Sequence, residues 1–436
     1  MSERTDVLHS WCVQAEWDAP TIVSGEGAFF TDENGHRYLD MSSLAECMNL
    51  GHQHPVIIQA IQAQAAQLCF VTNSWGAIPR AALARRLLEK SGFEGGRVYF
   101  TLGGADANEH AVKFARLACG QSAAKVITRE RSYHGASYAA MALSGDARTE
   151  GQVDPAAFGV LRVPAPYLYR CAFGSTDAIT CATRHVAHLA EVIDRTPPPG
   201  VAAVLMEVDA GTNGIVAPRA YWPMLREATA RRRVLLIADE VMSGFGRCGE
   251  WFAWQRDGEA GRPDLMTLAK GLTGAHLPLG AVVLSQAVAA TVEHQQLFTG
   301  LTYAGHPLSC AAGLAAVQAY ADEALIERSR HLGAELYRAL QALKNRHAVI
   351  GDVRGGDGLF AVIELVADRA SKTPLAPWPQ TPPLLRELVM RAKDVGVSFA
   401  TRGHLIIIAP PLVIAEHDLS AAVALLDRLL SELTHA

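Results

Sequence analysis

Two short apolar runs, each closed by a single charge, constrain this chain most. One runs from Val234 through Ala238 and ends at Asp239; the other runs from Leu265 through Ala269 and ends at Lys270. A continuous apolar run of strand length has no polar face, so both of its faces must be covered. That requirement favours a parallel sheet packed between helices. The terminal charges add a second constraint. A carboxylate or an ammonium at the mouth of a buried strand is costly unless an opposite charge or a hydrogen-bonding ligand sits against it.

The surrounding pattern agrees with an α/β domain. Strands are predicted at Arg97–Thr101, Lys125–Thr128, Val201–Glu207, Val234–Asp239, Leu265–Ala269 and Ala281–Ser285. Helices are predicted at Pro55–Leu68, Pro79–Lys90, Ala107–Ala118, Trp222–Arg232 and Ser309–Asp322. Gly25–Asp40 reads as two strands joined at Asn34-Gly35, a pair that tolerates the positive φ of a tight hairpin. From about Glu323 the texture changes to a smaller α+β unit. Its helices are predicted at Leu325–Asn345, Leu384–Val395 and Leu419–Leu433, and its strands at Leu359–Leu365 and Leu405–Ile408. Pro164–Thr183 is poor in pattern and reads as a long surface loop.

At 436 residues, half of them hydrophobic, the chain is long enough for two or three domains. The net charge of -5 is mild, and Arg231-Arg232-Arg233 reads as a solvated helix end, so nucleic-acid binding is not supported. The first residues lack a signal-peptide core and no run approaches a membrane span, which points to a cytoplasmic protein. Eight cysteines without CxxC pairs suit reduced thiols. Cys171 and Cys181 flank a loop, but no further ligand is apparent at zinc spacing, so no metal is expected there. His52 and His54 also lack a third ligand and read as structural.

Four segments carry chemistry. Gly103 and Gly104 follow a strand and precede a helix, where close backbone approach, free N–H groups and the positive dipole end suit a phosphate; Asp106 beside them reads as a cap. Tyr133 stands after a strand and suits the face of a heteroaromatic ring. Asp239 and Val241, two apart on an extended segment, share a face. Lys270 sits among small neighbours, where a lysine of lowered pKa serves as a Schiff-base nucleophile. One cofactor reconciles the two buried charges: pyridoxal 5'-phosphate (PLP), whose pyridinium nitrogen takes an Asp and whose aldehyde takes a Lys.

Together these segments resemble the class III (ω-)aminotransferases of PLP fold type I. The resemblance is carried by Asn49–Pro55, Gly103–Glu109, Ser132–Gly135, Ala238–Gly249, Leu268–Gly271, Leu301–Pro307, Val353–Gly355 and Ala409–Leu412. It implies a large domain over residues 61–322 with a mostly parallel, seven-stranded-type sheet. It also implies a small α+β domain built from both chain ends, residues 1–60 and 323–436. Lys270 would hold the cofactor covalently and shuttle the proton, and Asp239 would hold the pyridinium. Tyr133 and Val241 would clamp the ring, and Gly104 and Ala105 would bind the phosphate. Thr302 would reach the phosphate of a neighbouring subunit in a homodimer or homotetramer. The implied reaction moves an amino group from a primary (ω-)amine or amino acid to a keto acid; a lyase or racemase on the same fold is the alternative.

Two departures bear on specificity. Gly103-Gly104-Ala105 lacks the hydroxyl donor of the usual Ser-Gly-Ser. Thr212 stands where relatives often carry a glutamate that gates a carboxylate-binding arginine, which leans toward pyruvate as acceptor. Arg402 is a candidate for gripping a substrate carboxylate or sulfonate. Trp75 falls in a segment that lines the pocket of relatives, or is an ordinary core tryptophan. Glu46 either serves a substrate with an extra cation or faces solvent. Similarity to the taurine–pyruvate and ω-amino acid–pyruvate branch is softer than the family resemblance.

Overall fold

The computed structural model describes residues 3–434. Seven strands form its central sheet: β1 (Arg97–Thr101), β2 (Lys125–Arg129), β3 (Val160–Val163), β4 (Val201–Glu207), β5 (Leu235–Asp239), β6 (Leu265–Leu268) and β7 (Gly280–Leu284). Their order across the sheet is β1-β7-β6-β5-β4-β2-β3. β4, β5 and β6 run parallel to one another, as do β4, β2 and β3, while β7 is antiparallel to both of its neighbours.

The two-faced burial expected of the apolar runs is realised by simple alternation. Leu205, Ile237 and Val282 pack on one face against Ala107, Ala111 and Phe114 of helix α1 (Gly104–Ala118). Val204, Leu236 and Val283 face the opposite layer, with Leu189, Trp222 and Leu225. Parallel strands open their carboxyl ends on one edge of the sheet, the edge where α/β proteins bind ligands. Asp239 ends β5 in register with Glu207 of β4 and Thr267 of β6, so these three side chains meet there.

The chain ends join in smaller units. Ile22–Glu26, Phe29–Asp32 and Arg37–Asp40 form an antiparallel sheet, to which Val397–Ser398 adds a parallel strand beside Leu39 and Asp40. Gly25–Asp40 therefore holds an additional turn, besides the expected Asn34-Gly35 hairpin. Asp32 Oδ1 accepts from the N–H groups of Asn34 and His36 and closes that hairpin. Helix α3 (Leu325–Arg346) packs on an antiparallel sheet made of β8 (Ile350–Gly355), β9 (Ala361–Asp368), β11 (Leu405–Ile408) and β10 (Ala400–Arg402), in that order.

One expectation fails clearly. Pro164–Thr183 is not a uniform surface loop: Ala165 and Tyr167 are buried, and helix α2 (Ala178–Arg195) begins inside it, capped by Asp177. The cap Asp177 and the apolar face Cys181, Ala182, His185 and Leu189 are the signal that reading missed. Among the described residues no helix is long and apolar enough to cross a membrane.

Candidate active site

A cavity of about 400 Å³ opens at the carboxyl edge of the sheet. Gly103, Gly104, Ala105, Tyr133, Asp239, Val241 and Lys270 all line it. The sequence thus places six of its candidates around one space: Gly104, Ala105, Tyr133, Asp239, Val241 and Lys270. Thr212 and Glu207 share the wall.

Each residue is delivered by local structure. The Gly103-Gly104 turn lets α1 start at Gly104, three residues earlier than predicted, so the free N–H groups of its first turn fall at the cavity. Asp106 caps that turn, accepting from the N–H groups of Leu102 (2.6 Å) and Gly103 (2.8 Å). A Cβ at Gly104 would meet Val241 Cγ1 at 2.8 Å, so only glycine leaves this wall open.

Asp239 is buried and held from three sides. Its Oδ2 accepts from Asn108 Nδ2 (2.8 Å) and pairs with His134 Nδ1 (2.7 Å); its Oδ1 accepts from the Val241 N–H (3.0 Å). A carboxylate has about four lone-pair sites, so one remains for a cationic N–H in the cavity. Asn108 Oδ1 accepts in turn from Thr267 Oγ1 (2.7 Å), which orients the amide. Neither Asn108 nor His134 stood out in the sequence; their signal is membership of the Gly103–Glu109 and Ser132–Gly135 motifs.

Lys270 begins a 3-10 turn after β6 with φ of 45°, a strained conformation that turns the chain sharply at the edge. Its Nζ donates to Glu46 Oε2 at 3.0 Å. Glu46 is therefore buried, not solvent-facing. Burial works against the Lys270 ammonium, but Glu46 outweighs it and holds the lysine pKa above its ordinary value. Burial likewise works against the Glu46 carboxylate, and Lys270, followed by Arg402 and Arg247, holds its pKa low. Glu46 thus pulls the lysine pKa up, opposite to the lowered value expected of a Schiff-base lysine.

Glu46 is aimed at Lys270 by an unusual turn. Ser43, Leu44, Ala45 and Glu46 all adopt left-handed φ, between 42° and 70°. Such a run of non-glycine residues costs roughly 1–2 kcal/mol per residue. Fully buried Arg247 secures it, donating to Ser43 Oγ (2.9 Å), Asn49 Oδ1 (2.7 Å) and the carbonyls of Leu359 (2.8 Å) and Pro410 (2.6 Å).

Four candidates lie outside the cavity lining of this chain: Glu46, which reaches it only through Lys270, and Arg402, Trp75 and Thr302. Arg402 is half-buried at the end of β10 and donates to the Thr401 carbonyl (2.9 Å), yet its charge reaches Glu46 and Tyr133. Trp75 is 69% exposed, so it is not a core tryptophan. Thr302 is exposed as well. His52 and His54 have partners other than a metal, Asp40 and Glu323.

The arrangement suits a flat, anionic, electrophilic heteroaromatic: helix N–H groups at one end, an anchored acid at another, an amine beyond, and a tyrosine and a valine on the walls. The fold and cavity together define a PLP-dependent α/β enzyme of fold type I. Comparison with known proteins agrees. The family model of aminotransferase class-III matches residues 13–430. The chain is 31% identical over 442 residues to the taurine–pyruvate aminotransferase of Bilophila wadsworthia, covering 97% of this chain and 94% of that protein. It is 33% identical over 439 residues to the diaminobutyrate–2-oxoglutarate transaminase of Halomonas elongata, covering 97% and 92%. Among solved structures, a taurine:2-oxoglutarate aminotransferase from Bifidobacterium kashiwanohense, in complex with PLP and glutamate, superposes with a TM-score of 0.92 at 35% identity, covering 98% of this chain and 96% of that one. The chain belongs to the class III aminotransferases, and its reaction is transfer of an amino group from an amine to a keto acid with PLP as cofactor.

Proposed function

We propose that this enzyme takes its amino group from a primary amine bearing a second positive charge and delivers it to pyruvate. The observation that carries the donor class is the buried Glu46–Lys270 pair. PLP supplies an aldehyde that captures amines and a ring that accepts an electron pair. Lys270 Nζ would hold that aldehyde and would then no longer be a free ammonium paired with Glu46. Glu46 is thereby left as a buried carboxylate short of one cation, a costly state unless a new one arrives. A donor carrying an ammonium at each end supplies it.

The other residues act around this centre. Asp239, fixed by His134 and Asn108, would hold a proton on the ring nitrogen and so sustain electron withdrawal. The N–H groups of Gly104 and Ala105 would bind the phosphate, and Tyr133 and Val241 would confine the ring. With a donor bound, Lys270 Nζ would be the base that moves the proton from the amine-bearing carbon. Arg402 receives the carboxylate of the keto acid. Thr212, in place of a gating glutamate, supports pyruvate over 2-oxoglutarate. Thr302, exposed on one chain, completes the phosphate site of the other in a homodimer. The enzyme would act in the cytoplasm, with a large domain over residues 61–322 and a small one over residues 1–60 and 323–436.

The test is a panel of donors (diamines, β-alanine, taurine, monoamines), each assayed with pyruvate and with 2-oxoglutarate. Diamines with pyruvate should give the highest kcat/KM; a preference for taurine or monoamines would overturn the donor class. Lys270→Ala should bind PLP without the covalent bond and lose turnover. Borohydride treatment and intact mass decide this: a PLP adduct persisting in the variant would show that another residue is the attachment point.

A further inference from the structure

Outside the active site, the structure brings together three side chains that carry no part of the reaction. Cys171 lies in the loop before α2; Cys181 and His185 lie one turn apart on α2. One ligand atom from each lies within 4.8 Å of the other two. We propose that Cys171, Cys181 and His185 form a site for a zinc-class divalent metal, with water as the fourth ligand.

The geometry favours this over a chance grouping. Bond lengths of about 2.3 Å to sulfur and 2.0 Å to nitrogen put tetrahedral ligand atoms roughly 3.5 to 3.8 Å apart. Cys171 Sγ and His185 Nε2 are 3.6 Å apart. The outer contacts are those of a ligating histidine. His185 Nδ1 lies 3.3 Å from the Pro164 carbonyl, which only accepts, so Nδ1 carries the proton and Nε2 turns its lone pair toward the two sulfurs. Phe173 packs edge-on against the His185 ring, 4.7 Å between centroids, and limits its rotation. Cys181 and His185 are buried, while half-buried Cys171 leaves the fourth position on the side of solvent. Two thiolates, a neutral imidazole and a divalent cation sum to zero charge, which makes the buried site tolerable. A Cys171–Cys181 disulfide would leave the placement of His185 without a purpose.

The metal would act as a staple. The loop from Pro164 to Asp177 also carries Tyr167 and Arg170, which both bond to buried Glu364 of β9, and Lys372 donates to the Tyr169 carbonyl. Fixing Cys171 to α2 therefore locks the segment that joins the central sheet to the C-terminal unit.

Full-length PLP-loaded enzyme, stripped with a chelator under reducing conditions, is dialysed against zinc alone and desalted. Bound zinc is then measured by elemental mass spectrometry. About one equivalent per chain is expected, with two thiol protons released on binding. Cys171→Ala, checked for fold by circular dichroism and PLP absorbance, should weaken zinc binding at least about tenfold while kcat stays unchanged. Substituting cobalt into the unmutated enzyme should give thiolate-to-metal charge-transfer absorption, a readout independent of any variant. Equal zinc binding by both proteins, or absence of the charge-transfer band, would overturn the proposal. So would peptide mapping that finds Cys171 disulfide-linked to Cys181 in the enzyme as purified, before any chelator is added.

Discussion

Replacing Glu46 by Gln isolates the role of the acid beside Lys270. The change keeps shape and removes one charge. Removing one partner from a fully buried ion pair costs about 3–5 kcal/mol. Two features lower that figure here. The Lys270 side chain keeps 21% exposure and lines the cavity, so solvent shields it in part. It also has an exit, because shedding a proton from an amine of ordinary pKa costs only about 3 kcal/mol at about pH 8. The cofactor-free variant should therefore lose about 1–3 kcal/mol, measured by urea denaturation at that pH. The freed amine has a second consequence. Burial would no longer be outweighed, so the Lys270 pKa should drop below the ordinary lysine value. Capture of the PLP aldehyde needs the neutral amine, and its rate is followed by absorbance after mixing. The pH at which that rate is half-maximal should shift downward in the variant. An unchanged stability together with an unchanged pH profile would show that the Glu46–Lys270 pair does not control this lysine.

Further consequences follow from individual contacts. Gly104→Ala would push a methyl group into Val241; overpacking of about 1–3 kcal/mol should weaken PLP binding by about five- to 150-fold in equilibrium titration, with the fold retained. Burial pushes the Glu207 carboxyl up to about 7, against the pull of Arg129. Its folded pKa thus exceeds its unfolded one, so its stabilising contribution is full below about pH 4 and is lost as pH rises through about 7. Glu207→Gln should remove up to about 3 kcal/mol of that decline from denaturation curves of the cofactor-free enzyme; an unaltered slope would mean that Arg129 keeps the group ionised. Arg247→Met should cost more than about 3 kcal/mol and relax Ser43–Glu46, seen as faster amide exchange in that segment, because four buried acceptors lose their donor.

Much of this was legible in the chain because its signals are local. The uninterrupted apolar run at Val234–Ala238 demands cover on both faces, as does the mainly apolar Leu265–Ala269, and the sheet supplies it through alternating Leu236 and Ile237. Gly103-Gly104, Asp239 and Lys270 each sit where a strand stops, and strands of one parallel sheet stop on one edge. Convergence of these residues on one cavity follows from the alternation of strands and helices. The helix of Ala178–Arg195 escaped because the preceding loop lacks periodicity, and its cap at Asp177 stands inside that loop. The Cys181–His185 spacing of one helical turn is readable only once the segment is known to be helical.

Sequence alone determined the chemistry that the chain can perform, since residue types in register along a strand decide which charges reach a cofactor. Tertiary structure alone decided the state of those charges. Glu46 and Lys270 lie far apart in the chain, and nothing local couples them; a strained left-handed turn, pinned by buried Arg247, brings the acid to the amine. Protonation depends on distance and burial, and both are properties of the folded chain.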